Sequence, residues 1–110
     1  TWTSCERGRC LDFVFADSQT PISADGFLFT KNDTYPAIIT DFERGHKVIS
    51  ALPCDVLITP HPSASSLWER VDASKARGVD ALVDRDACRR YATNASAMLA
   101  TRLARERAAP

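Results

Sequence analysis

The sequence predicts an α/β fold, in which a β-hairpin and strands are followed by a helix–strand–helix–helix run. Three observations carry that expectation. Leu11, Phe13 and Phe15 alternate with Asp12 and Val14, the period of a strand with one fully apolar face and one mixed face. Tyr35, Ile38, Ile39, Phe42, His46, Ile49 and Leu52 recur on one helical face, the spacing of an amphipathic helix. Val56-Leu57-Ile58 is a short apolar run between Asp55 and Thr59, which suits a buried strand between helices.

Each element follows from local chemistry. Trp2 to Cys5 and Cys10 to Ala16 read as a hairpin around the polar Glu6-Arg7-Gly8-Arg9 loop. Asp17-Ser18-Gln19-Thr20-Pro21 ends the second strand with turn formers and a proline. Phe27 to Thr30 is expected to be another short strand. Asn32-Asp33-Thr34 offers caps for the first helix, with Pro36 in its first turn, and that helix should end near Leu52-Pro53. After the Val56–Ile58 strand, Thr59-Pro60-His61-Pro62-Ser63 forms a loop. Ser65 can cap a helix carrying Leu67, Trp68 and Val71. Asp84 or Asp86 is expected to cap the final helix, whose inner stripe holds Cys88, Tyr91, Ala95, Met98, Leu99 and Leu103. Arg102, Arg105 and Arg107 lie in its tail, where the helix dipole favours cations.

Composition narrows the partners. The 110 residues carry 14 Lys+Arg against 14 Asp+Glu, and 45% of them are hydrophobic. Disordered chains combine low hydrophobicity with high net charge, so this chain should fold. A nucleic-acid partner is not expected without a basic excess. A membrane span is not expected either, because no apolar run approaches about 18 residues. No linker or repeat divides residues 1–110, and Thr1-Trp2-Thr3 reads as the middle of a strand. A processed or truncated piece of a longer protein is therefore expected.

The four cysteines, Cys5, Cys10, Cys54 and Cys88, allow three pairings, and none forms a CxxC zinc motif. Cys5 and Cys10 would face each other across the hairpin. A bridge there is worth about 2 kcal/mol at most, whereas one between Cys54 and Cys88 would tie distant segments for about 3–4 kcal/mol. Two such bridges imply an oxidising, exported setting such as a periplasm. Four buried thiols in a reducing compartment are the alternative.

Chemistry has few places to sit. His46 falls on the apolar face of its helix, with no second ligand at i+3 or i+4, and reads as a structural histidine. His61 lies between two prolines directly after a buried strand, where α/β folds place ligands and catalytic groups. A turn histidine is the equal alternative. Ser18 and Thr20 are two hydroxyls at a strand end. They can donate to a carboxylate or phosphate, or simply cap a turn. Asp17 and Asp55 are available carboxylates, yet no HxH, G-x-S-x-G, P-loop or dinucleotide motif accompanies them.

Four segments together resemble a known family. Leu52 to Pro62, with Pro53-Cys54-Asp55 and Thr59-Pro60-His61-Pro62, closely resembles the last metal-ligand segment of subclass B3 metallo-β-lactamases. Ala16 to Phe27, with Asp17-Ser18-Gln19-Thr20-Pro21, resembles that family's substrate loop. Cys88-Arg89-Arg90-Tyr91-Ala92 resembles the start of its C-terminal helix, including the cysteine that bonds back to the one before the Asp. Trp2-Thr3-Ser4-Cys5 with Cys10 resembles the hairpin after its third zinc histidine. The segments stand in family order and cover nearly the whole chain.

The resemblance implies that residues 1–110 are the second half of an αβ/βα metallo-β-lactamase sandwich. The N-terminal half, which carries the HxHxDH motif and a further histidine, would lie upstream of Thr1. It implies a hydrolase that cleaves the amide bond of β-lactam antibiotics, with two zinc ions per complete site activating water for attack on the lactam carbonyl. His61 would be the single zinc ligand supplied here, on the second metal, and Ser18 and Thr20 would bind the drug's carboxylate. The partners implied are a β-lactam substrate and the N-terminal half of the same enzyme, in the periplasm. Two other readings compete: a lactonase or thioesterase of the same superfamily, and a disulfide-stabilised secreted binding module.

Overall fold

The computed structural model describes residues 1–109. Strand β1 (Trp2–Glu6) turns into β2 (Arg9–Phe15), and the two pair antiparallel with Cys5 opposite Cys10. The hairpin loop is only Arg7-Gly8, with φ of 50° and 81°. Positive φ at both central residues is what a tight type I′ turn requires, and glycine meets it without steric cost. Helix α1 (Ile38–Ala51) then carries the chain across to β3 (Val56–Ile58), which lies parallel to β2, and the sheet order is β1-β2-β3. A short 3₁₀ turn at Pro62–Ser65 leads to α2 (Leu67–Arg77). Another at Gly78–Leu82 precedes the long α3 (Ala87–Ala108).

Two apolar clusters hold these elements together. Val14, Ala16 and Leu57 on one sheet face pack with Ile49, Cys54, Cys88, Tyr91 and Ala92 from α1, the β3 approach and the start of α3. Farther along α3, Leu99 and Leu103 pack with Phe29 and Ile38. The core-facing side of β2 is thus its mixed face. The fully apolar face lies opposite: Trp2 stacks on Phe13 with ring centroids 5.2 Å apart, and Trp2 and Phe15 remain 49% and 53% exposed. The radius of gyration is 16.6 Å, against about 13 Å for a compact domain of this length. Leu11 and Val56 on that face are buried, so it is open only in part, at Trp2 and Phe15; an elongated body with a partly open apolar sheet face is the shape of a layer, not of a closed sandwich.

Several local expectations are corrected. Phe27–Thr30 is not a strand, because its amides have no strand to pair with. Those of Phe29 and Thr30 donate instead to the Glu106 carboxylate, each at 2.9 Å to Oε2. Asn32 caps a turn, accepting from the Tyr35 amide at 2.8 Å, so α1 starts later, after Pro36 and Ala37. Ser65 does not cap α2. The residue at that junction is Ser66, in a left-handed conformation with no side-chain cap. Trp68 is exposed rather than inward-facing, as is Met98 at 46%. Neither Asp84 nor Asp86 makes a side-chain cap on α3. Asp84 Oδ1 accepts from the Asp86 amide at 3.1 Å, and its other oxygen pairs with Arg90.

Both disulfides are present, Cys5–Cys10 and Cys54–Cys88. The second joins two buried residues 34 positions apart, tying the entry of β3 to the first turn of α3. Replacing both Cys54 and Cys88 by alanine should lower stability by about 3–4 kcal/mol, the unfolded-chain entropy of a loop of this length. Urea titration of parent and variant measures it, and a loss below about 1 kcal/mol would contradict the loop-closure argument. Among the described residues, no helix is long and apolar enough to cross a membrane.

Candidate functional site

The carboxyl ends of β2 and β3 point the same way, because the strands are parallel. The loop after β2 carries Ser18 and Thr20, and the loop after β3 carries His61. The structure brings these three residues to the wall of one groove of about 510 Å³. Thr59, Tyr91, Asn94 and Met98 complete much of its lining, and none of these four was singled out as a site residue from the sequence.

The His61 loop is braced from beneath. Thr59 is buried, and its Oγ1 donates to the His61 carbonyl at 2.8 Å and also hydrogen-bonds the Ser65 hydroxyl at 2.8 Å. The Ala64 amide donates to the same carbonyl at 3.0 Å. Arg70 of α2 spreads its guanidinium over three carbonyls: Leu57 at 2.6 Å, Ser65 at 3.0 Å and Leu82 at 3.0 Å. Burial pushes the Arg70 guanidinium below its ordinary pKa, and Asp84 pulls it partly back. Five donors in a fixed plane suit this three-way grip. The imidazole of His61 stays exposed while its backbone is fixed, so the side chain is presented from a rigid base.

On the other side, the Ser18 amide donates to Asp17 Oδ1 at 2.7 Å. Ser18 Oγ and Thr20 Oγ1 lie 3.3 Å apart, a spacing that lets two hydroxyls address one carboxylate. The two spare carboxylates are otherwise engaged. Asp17 closes that turn, while Asp55 accepts from the Asp12 amide at 2.8 Å and from Arg85 Nε at 3.2 Å. Among the described residues, no three His, Cys, Asp or Glu side chains are grouped to hold a metal ion. These residues therefore do not make a zinc site by themselves, since zinc needs three or four protein ligands. His61 can contribute one.

His46 is buried, and it hydrogen-bonds a backbone carbonyl instead of facing the groove, as a structural histidine should.

No protein-family profile matches the chain. Solved structures do, and they define a class: this is the metallo-β-lactamase fold, present over part of its length. The Rm3 metallo-β-lactamase matches with a TM-score of 0.93 and 44% identity, over 96% of this chain and 39% of that one. MEM-A1, a subclass B3 enzyme from a soil metagenome library, matches with a TM-score of 0.92 and 36% identity, over 97% and 40%. MIM-1 from Novosphingobium pentaromativorans matches at 0.81 and 39%, over 98% and 38%. The chain resembles the C-terminal half of a subclass B3 metallo-β-lactamase, and it spans about two fifths of the length of these structures.

Proposed function

We propose that this chain is the C-terminal half of a zinc-dependent β-lactam hydrolase that confers antibiotic resistance from the periplasm. The observation that carries this reading is the convergence of His61, Ser18 and Thr20 on one groove at the ends of parallel strands, within a scaffold shared with subclass B3 enzymes. His61 would hold the second of two zinc ions, together with ligands from an N-terminal half. Bound zinc supplies activated water and charge stabilisation at the lactam carbonyl. The residues of this chain have simpler tasks. Ser18 and Thr20 donate hydroxyl hydrogen bonds to the substrate's carboxylate, which sets the lactam ring against the metal side of the groove. Thr59 and Arg70 hold the His61 backbone still. Met98 gives the groove an apolar flank for the body of the drug. The two disulfides support an oxidising compartment.

The test compares residues 1–110 alone with the complete protein that includes an HxHxDH-bearing half. The complete protein is expected to hold two zinc ions and hydrolyse a carbapenem. The 110-residue chain is expected to hold no stable zinc pair and to show no hydrolysis. Two zinc ions and turnover in the isolated chain would refute the half-site reading. Hydrolysis of an acyl-homoserine lactone but of no penicillin by the complete protein would move the substrate to another class.

A further inference from the structure

Gln19 sits between the two hydroxyl residues, and its peptide groups are gripped by two helices distant in sequence. Its amide donates to Tyr91 Oη of α3 at 3.0 Å. Its carbonyl accepts from His46 Nε2 of α1 at 2.8 Å. The Tyr91 hydroxyl donates onward to the Asp17 carbonyl at 3.2 Å. Both side chains are buried, His46 at 5% and Tyr91 at 7% exposure. Because a carbonyl only accepts, the bond fixes the tautomer with hydrogen on Nε2. Nδ1 fits that assignment, since it is buried with no hydrogen-bond partner among the described residues, and a hydrogen there would be an unsatisfied donor. Gly45 completes the arrangement: a Cβ at that position would overlap Gln19 Oε1, so glycine lets the carboxamide lie against α1.

We propose that His46 and Tyr91 are positioning residues that set the Ser18–Thr20 hydroxyl pair for substrate. This rests on the reading that those hydroxyls bind the substrate's carboxylate. His46 is not part of the groove lining, whereas Tyr91 is, so the His46 variants and the exchange of the Gln19 amide separate the clamp from direct contact with substrate. The peptide groups flanking Gln19 cannot rotate without breaking part-buried hydrogen bonds, so the backbone that carries the two hydroxyls, 3.3 Å apart, is held in place. A clamp of this kind acts on binding geometry, so its loss should appear in KM more than in kcat.

The experiment uses the complete enzyme with a penicillin substrate, in the variants His46→Leu, His46→Gln and Tyr91→Phe. His46→Leu should raise KM about tenfold with kcat within about twofold of the parent. His46→Gln places an amide donor near the former Nε2 and should bring KM most of the way back. Tyr91→Phe removes one oxygen while keeping the ring, so it carries the test should His46→Leu fail to fold. It should raise KM similarly and speed exchange of the Gln19 amide about tenfold or more, because that N–H loses its acceptor. Unchanged KM in Tyr91→Phe, or no rescue by His46→Gln, would overturn the positioning role. A parent enzyme that hydrolyses no penicillin would refute the functional reading instead. The exchange measurement then decides the clamp alone, and an unaltered Gln19 amide in Tyr91→Phe would end it.

Discussion

On the proposed function, replacing His61 with alanine in the complete enzyme should remove one of two zinc ions and cut β-lactam turnover at least about 100-fold. Groups that only orient a metal ligand are worth about 10–100-fold, so a direct ligand should be worth at least that. The fold should survive. The His61 imidazole is exposed, whereas the supports of its loop are the Thr59 hydroxyl, the Ala64 amide and the Arg70 guanidinium, all of which remain. Zinc stoichiometry by atomic emission and far-UV circular dichroism separate the two effects. A variant that keeps two zinc ions and parental turnover would show that His61 is a turn residue after all.

The second large effect concerns stability and lies far from the groove. Glu106 is 5% exposed at its side chain. Its carboxylate accepts from the Phe29 and Thr30 amides, from the Thr30 hydroxyl and from Arg102 Nε at 2.6 Å. Arg102 in turn reaches the Phe27 carbonyl at 2.7 Å and the Ser23 hydroxyl at 3.0 Å, and lies over the Phe29 ring. This pair pins the loop after Thr20 to the end of α3. Glu106→Ala should cost about 3 kcal/mol, since it leaves a part-buried guanidinium without its counter-ion and two amides without their acceptor. The pH dependence has a definite sign. Burial alone would raise the Glu106 carboxyl, but the Thr30 and Phe29 amides, Arg102 and the Thr30 hydroxyl outweigh it and bring the pKa down to about 2. An unfolded glutamate titrates near about 4.3. The stabilisation is therefore fully present above about pH 5 and is lost as pH falls toward about 2. Urea titrations at pH 7, 5 and 3 should show a parent that weakens through this window and a Glu106→Gln variant with a shallower slope. Parallel pH profiles for the two proteins would contradict this account.

The elements that could be read from the sequence are those set by neighbouring residues. The hairpin follows from alternation and from Arg7-Gly8, β3 from an apolar triplet, and α1 and α3 from their stripes. Ser18, Thr20 and His61 stood out because they follow strand ends. What escaped is long-range. The amides of Phe29 and Thr30 bond a carboxylate more than 70 residues away, so a plausible strand is a pinned loop. Met98 falls on a helical stripe, yet it faces the groove because the loops opposite leave that space open. Arg70 belongs to no motif, and only the meeting of three carbonyls from separate segments, one of them in β3, reveals its grip. His46 was recognisable as structural, but its partner at Gln19 was not.

The carbonyls on the outer side of β3 have a consequence for assembly. Asp55, immediately before β3, accepts from the Asp84 amide at 2.7 Å, and Leu57 within it accepts from Arg70. A further strand arriving at that edge would find its acceptors taken, and side-by-side growth of sheets is blocked on that flank. The opposite flank is β1, exposed along its length. Strand pairing that extends this sheet therefore has its free edge along Trp2–Glu6.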